Sequence, residues 1–130
     1  MFLHYENDSP YDARIYISYK CFLKKYSLFF SQGLILDLRG NPGGLLTSAV
    51  DVSSLLVPKG SEIVSAKGRG FPGVSYRSRV DPMLDPNTKL AVLINDSTAS
   101  AAEIVSGAIQ DLDVGVIVGS GRSFGKGLGE

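Results

Sequence analysis

The sequence predicts an α/β fold built on a mainly parallel sheet, and three observations predict it. Among three short apolar runs, GLILDL at 33–38 and LAVLIN at 90–95 read as buried strands, and VGVIVG at 114–119 reads as a further strand. Two stretches of helical periodicity, LLTSAVDVSSLL and ASAAEIVSGAIQDL, alternate with them. Strands that read as continuous apolar runs and alternate with helices imply a parallel sheet covered by helices. The chain has 130 residues, 44% hydrophobic and 20% charged, which suits one modest core.

In chain order, residues 1–32 are rich in Tyr, Phe, Lys and Ser with little periodicity and stand apart as a poorly patterned N-terminal segment. Residues 33–130 form the patterned unit. After GLILDL comes the turn RGNPGG, and then a helix with Leu45, Leu46, Ala49, Val50, Val52 and Leu55 mostly on one face, stopped by Pro58 and Gly60. EIVSA at 62–66 reads as a short strand. The next stretch, through Gly68, Gly70, Pro72, Gly73, Pro82 and Pro86, has the chemistry of a surface loop or hairpin insert. LAVLIN leads to a helix that Asp96, Ser97 or Thr98 is placed to cap, with Ile104, Val105, Ala108 and Ile109 on a common face. VGVIVG closes a strand-helix-strand unit.

Composition removes several classes of function. Thirteen basic residues balance thirteen acidic ones, so no net charge favours nucleic acid or an anionic membrane. A single cysteine, Cys21, leaves no internal disulfide framework and no thiolate zinc cluster. The N-terminal stretch has neither a basic leader nor an apolar run of signal-peptide length, and IYISYKCFLKKYSLFF is broken by three lysines, so no membrane span is expected.

Parallel sheets put reactive loops at the carboxyl ends of strands. Two turns satisfy that rule: RGNPGG after the first apolar run, and NDSTAS after the second. A Gly-Gly pair before a helix lets backbone N–H groups approach a substrate and face developing negative charge, although an ordinary turn uses glycines too. The second turn offers Ser97, Thr98 and Ser100. A serine there needs a base to become a nucleophile, and the lone histidine, His4, lies in the poorly patterned segment. A lysine serves if burial lowers its pKa from about 10.4 toward roughly 7 to 8, because only the neutral amine accepts a proton. Lys126, between Phe124-Gly125 and Gly127 after an apolar strand, is the lysine in such a setting. GSGRSFGKG fails as a phosphate loop, with Ser120 where a glycine is required and Gly127 where a hydroxyl is required.

In this order and spacing, GLILDLRGNPGGLL, LAVLINDSTASAAEIVSGAIQD and GVIVGSGRSFGKGL resemble the core of the carboxy-terminal processing, or tail-specific, proteases over residues 33–130. The resemblance implies a crotonase and Clp-protease-like layered sheet and helix fold, here as a partial domain. It implies serine endopeptidase chemistry without a cofactor or metal, acting on unfolded protein or peptide C-terminal tails laid down as an added strand. Carried over by position, Ser100 is the nucleophile, Lys126 the base, and the backbone N–H groups of Ala101 and of Gly44, in preference to Gly43, the oxyanion donors. Glu103 and Ser123 fall at supporting positions. Asp111 matches an acidic position of the active region, and reads equally as a plain helix-terminal polar residue.

The departures from the family pattern are specific. Its PDZ domain is absent, and YISYKCFLKKYSLFF need not be native coding sequence, as in a truncated chain or a gene-model product. One extra residue lies in Ser120-Gly121-Arg122, Val114 stands for a common arginine, and Ala102 for a usual serine. Glu130 stands where the family has a glutamine that assists the lysine, and a carboxylate there would favour the ammonium form. Two readings follow: an active Ser-Lys endopeptidase, or an inactive fragment that is at most a peptide-binding or interaction module. Family members are usually exported to periplasm, cell envelope or plastid lumen, and this chain carries no signal that assigns a compartment.

Overall fold

A computed structural model describes residues 2–3, 14–18, 33–68 and 71–125. The elements are β1 (Phe2–Leu3), β2 (Arg14–Ser18), β3 (Gly33–Asp37), α1 (Leu46–Ser54), β4 (Glu62–Gly68), β5 (Phe71–Arg77), β6 (Lys89–Ile94), α2 (Ala101–Asp111) and β7 (Val116–Gly119). All three apolar runs contain strands and both periodic stretches contain helices, as the sequence predicts. His4, Cys21, Lys126 and Glu130 lie outside the described residues.

Five strands form one sheet in the order β1-β2-β3-β6-β7. The apolar runs pair in parallel, β3 with β6 and β6 with β7. On the other side the sheet is antiparallel, with Arg14–Ser18 in register along Asp37–Gly33 and β1 beyond it. This corrects the expectation of a mainly parallel sheet. RIYIS is β-branched and aromatic, which suits a strand, but five residues are too short to register as periodic.

The core lies on one face of the sheet. Leu34, Leu36, Leu38, Leu90 and Val92 point to the side where Ala49 of α1 and Ala101, Ala102, Val105 and Ile109 of α2 pack on them. Leu36, Val92 and Ile109 are at most 1% exposed, and burying each contributes about 1.5–3 kcal/mol. Ile35, Val116 and Val118 are 40%, 61% and 49% exposed. Among the described residues helices therefore cover one face of the sheet. A smaller cluster of Val57, Ile63 and Ala108 joins α2 to β4, the inner strand of the β4–β5 hairpin. Across that hairpin Glu62 accepts from the Ser75 hydroxyl at 2.7 Å and from Arg77 at 2.9 Å, and these, the serine first, hold its carboxyl below the usual range.

The face of α1 differs from the reading of its leucines. Leu45, just before the helix, is 71% exposed and Leu55, just after it, 39%, while Ala49, Ser53 and Ser54 are buried. Both leucines sit at the helix ends, where the chain leaves the helical track. Ser54 Oγ donates to the Val50 carbonyl at 2.7 Å, but the Ser53 hydroxyl, fully buried, has no partner among the described residues. An unsatisfied buried hydroxyl costs about 1–3 kcal/mol. Ser53→Ala is therefore expected to raise stability by about 1 kcal/mol in denaturant unfolding; a loss of stability would show that the hydroxyl has a partner.

Candidate active site

The sheet itself brings the two expected turns together. β3 and β6 are parallel neighbours with Asp37 opposite Leu93, and the ladder runs one residue further through Leu38 N–H to the Leu93 carbonyl at 2.9 Å. The turns 38–45 and 95–100 thus leave the same end of the sheet side by side.

Their side chains then sew them together. Thr98, fully buried, donates its hydroxyl to the Leu38 carbonyl at 2.7 Å and accepts from Asn95 N–H at 3.0 Å. Asn95 Oδ1 accepts from Gly40 N–H at 2.9 Å and from Ser97 N–H at 3.2 Å. Buried Asn41 accepts at its carbonyl from Ala99 N–H at 2.9 Å and at Oδ1 from Gly43 N–H at 2.8 Å. At the root of the first turn Asp37 holds Arg39 by two side-chain bonds of 2.9 and 2.7 Å.

Ser100 is the N-cap of α2, a correction to the expectation that Asp96, Ser97 or Thr98 caps it. Those residues are used by the turn instead, and the helix starts later. Ser100 has φ 54° and ψ −120°, an unusual conformation for a residue with a side chain, at a cost of order 1–3 kcal/mol. Glu103 Oε2 fixes it there by accepting from Ser100 N–H at 2.8 Å. Gly43, at φ 102°, lies directly against it: a Cβ on Gly43 would meet Ser100 Cβ at 2.7 Å and the Ala99 carbonyl oxygen at 2.8 Å. Only glycine permits both that backbone angle and that approach.

The two expected oxyanion donors in the first turn are distinguishable. Gly43 N–H is spent on Asn41, whereas the N–H groups of Gly44 and Ala101 form no hydrogen bond among the described residues. Ala101 opens α2, where N–H groups and the helix dipole favour negative charge.

The stretch before Lys126 is tied to the same place. Phe124 N–H donates to the Thr98 carbonyl at 2.9 Å. Glu103 Oε1 accepts from the Ser123 hydroxyl at 2.6 Å and from Gly125 N–H at 2.7 Å. One carboxylate thus grips the Ser100 backbone with one oxygen and residues 123 and 125 with the other. Asp111 is elsewhere: it ends the 11-residue α2, is exposed, and stands about 16 Å of helix rise from Ser100, so the structure does not bring it to this site.

Sequence reasoning overlooked Asn41, Asn95 and the Asp37–Arg39 pair, and weighed Thr98 only as a hydroxyl of the second turn or a helix cap. The asparagines had a readable signal, since Asn in N-P-G and N-D-S commonly binds the backbone two residues on, as both do here. The long-range bond of Thr98 to Leu38 had none.

With this geometry in place, comparison with known proteins gives the chain its family: it belongs to peptidase family S41, whose model matches residues 18–130. It is 42% identical over 96 residues to the chloroplastic C-terminal processing peptidase of Tetradesmus obliquus, covering 74% of this chain and 20% of that protein. It is 45% identical over 97 residues to a carboxy-terminal-processing protease of Bartonella bacilliformis, covering 74% and 22%. Among solved structures it resembles a photosystem II D1 C-terminal processing protease, at a TM-score of 0.64 and 39% identity over 75% of this chain and 24% of that one. The chain thus spans about a fifth of the length of these curated relatives. Among the described residues no helix is long and apolar enough to cross a membrane.

Proposed function

We propose that this segment carries the catalytic groups of a serine endopeptidase that cleaves unfolded C-terminal tails, with Ser100 as nucleophile and Lys126 as base. The observation that carries the proposal is the double grip of Glu103 on Ser100 and on residues 123 and 125, next to the lysine in sequence. The names of the S41 relatives support the substrate class, and the chloroplastic relative supports an exported or plastid location.

In the proposed reaction the neutral amine of Lys126 takes the proton of Ser100 Oγ as that oxygen bonds to the scissile carbonyl carbon. The carbonyl oxygen becomes an oxyanion, received by the N–H groups of Ala101 and Gly44. The C–N bond breaks as the lysine ammonium returns its proton to the leaving amine. Water, losing a proton to Lys126, then attacks the acyl carbon; the ester C–O bond breaks as the lysine ammonium returns that proton to Ser100 Oγ, which frees the serine and leaves a new carboxyl terminus on the substrate. Gly43 has a spatial role in this scheme, since its N–H is already bound.

Glu103 is a positioning residue: it holds Ser100 and the stretch 123–125 before the lysine together without touching the reacting bond. Glu103→Gln, made in a full-length protease carrying this segment, must turn an NH2 toward at least one N–H donor. A displacement of about 1 Å between reacting groups costs about 10²-fold in rate. The expected result is a kcat about 10²-fold lower with KM little changed, and an altered pH profile. An unchanged kcat and pH profile would remove the grip as support for the pairing.

A further inference from the structure

A second feature of the molecule lies along α1, outside the turns that hold Ser100. A groove of about 530 Å³ runs between α1 and β5, and its lining includes four consecutive strand residues, 74 to 77. Successive side chains of a strand point to opposite faces, so a cavity touched by all four follows the edge of the strand. β5 pairs with β4 on one side and, among the described residues, with no strand on the other. An unpaired edge offers a row of backbone N–H and C=O groups to an incoming strand.

The side chains along the groove add two preferences. Leu55, Val74 and Val80 line it and are 39%, 39% and 44% exposed, an apolar floor in water. At the rim, Arg77 is engaged by Glu62 at 2.9 Å and by the Gly60 carbonyl at 3.1 Å, whereas Arg79 has no ion pair among the described residues. Asp51 is the carboxylate in the lining. The balance suits a ligand with one acidic group opposite Arg79 and disfavours a run of acids beside Asp51. The lining includes Thr47 in the first turn of α1, and the loop that feeds this turn packs Gly43 on Ser100.

We propose that this groove is a peptide-docking subsite, which takes an extended, mainly apolar segment bearing one acidic side chain as a third strand on the edge of β5 that is unpaired among the described residues. The proposal rests on the protease reading in taking that segment to be part of the tail under cleavage. Backbone bonding gives such a site its affinity and the side-chain contacts its preference.

The test is fluorescence anisotropy on the Ser100→Ala chain, so that binding is read without chemistry. The probes are a fluorescein-labelled decapeptide of alternating valine and serine with one glutamate, its lysine-for-glutamate counterpart, and a copy N-methylated at alternate backbone nitrogens. The glutamate peptide is expected to bind saturably and the methylated copy at least tenfold more weakly. Arg79→Glu is expected to weaken the glutamate peptide at least tenfold and reverse its order with the lysine peptide, and Arg79→Gln to fall between. Both variants are at an exposed position, and thermal melting verifies their folding. Absence of saturable binding, equal affinity of the methylated copy, or indifference to Arg79 overturns the subsite. If the expected binding pattern holds while Ser100 proves unreactive, the protease reading falls and the groove stands; the converse result removes the groove alone.

Discussion

Ser100→Ala, in a full-length protease carrying this segment, is expected to lower kcat by about 10⁶-fold, as loss of an acyl-transfer nucleophile does. Peptide binding should change little, because the hydroxyl acts on the transition state and not on the ground-state complex. Lys126→Arg is expected to be as inactive, since a guanidinium stays protonated and cannot accept the serine proton. The two effects should not add in the double variant, because in the proposed mechanism serine and lysine act as one unit. Cleavage assays with a single peptide substrate check all three; turnover surviving in Lys126→Arg would point to another base.

Gly43→Ala is the second change with a large expected effect, and it reports on space instead of chemistry. The added methyl would sit 2.7 Å from Ser100 Cβ and 2.8 Å from the Ala99 carbonyl oxygen, at a backbone φ of 102°. The backbone angle costs of order 1–3 kcal/mol, and overpacking a fixed turn adds about 1–3 kcal/mol. Relief can come only by moving the turn that carries Ser100 or the turn that carries Gly43, so under the proposed mechanism activity should fall by at least about 10²-fold. Gly40→Ala is the control: φ is 72° but no atom lies within 4 Å of its would-be Cβ. It should carry the backbone cost alone and keep most activity. Equal loss in the two variants would mean that the contact of Gly43 with Ser100 does not matter.

Much of this arrangement was legible in the residues. The apolar runs 33–38, 90–95 and 114–119 became β3, β6 and β7 because pairing in one sheet satisfies their backbone groups, with Leu34, Leu36, Leu90 and Val92 buried under the helices. Their alternation with helices placed the two turns at one sheet end. Ser100, Gly43, Gly44, Ala101, Glu103 and Ser123 stand near one another, as their motif positions implied. Asp111 does not join them, because a motif gives order along the chain while the helix carries that residue away at about 1.5 Å per step. The N-cap was placed too early, since Asp96, Ser97 and Thr98 all have capping chemistry and only the bond from Thr98 to Leu38, 60 residues away, commits that residue to the turn. Strand β2 escaped notice because pairing with β3, and not its own pattern, makes it a strand.

The central claim, that Ser100 is made nucleophilic by Lys126, is tested most directly by a fluorophosphonate probe read by peptide mass mapping. The protein is a full-length protease carrying this segment, measured across pH beside its Ser100→Ala and Lys126→Arg variants. The account predicts one adduct, on the peptide containing Ser100, formed faster as pH rises and the lysine amine becomes neutral, and absent from both variants. An adduct on a different serine, an undiminished rate in Lys126→Arg, or no adduct at any pH would contradict it.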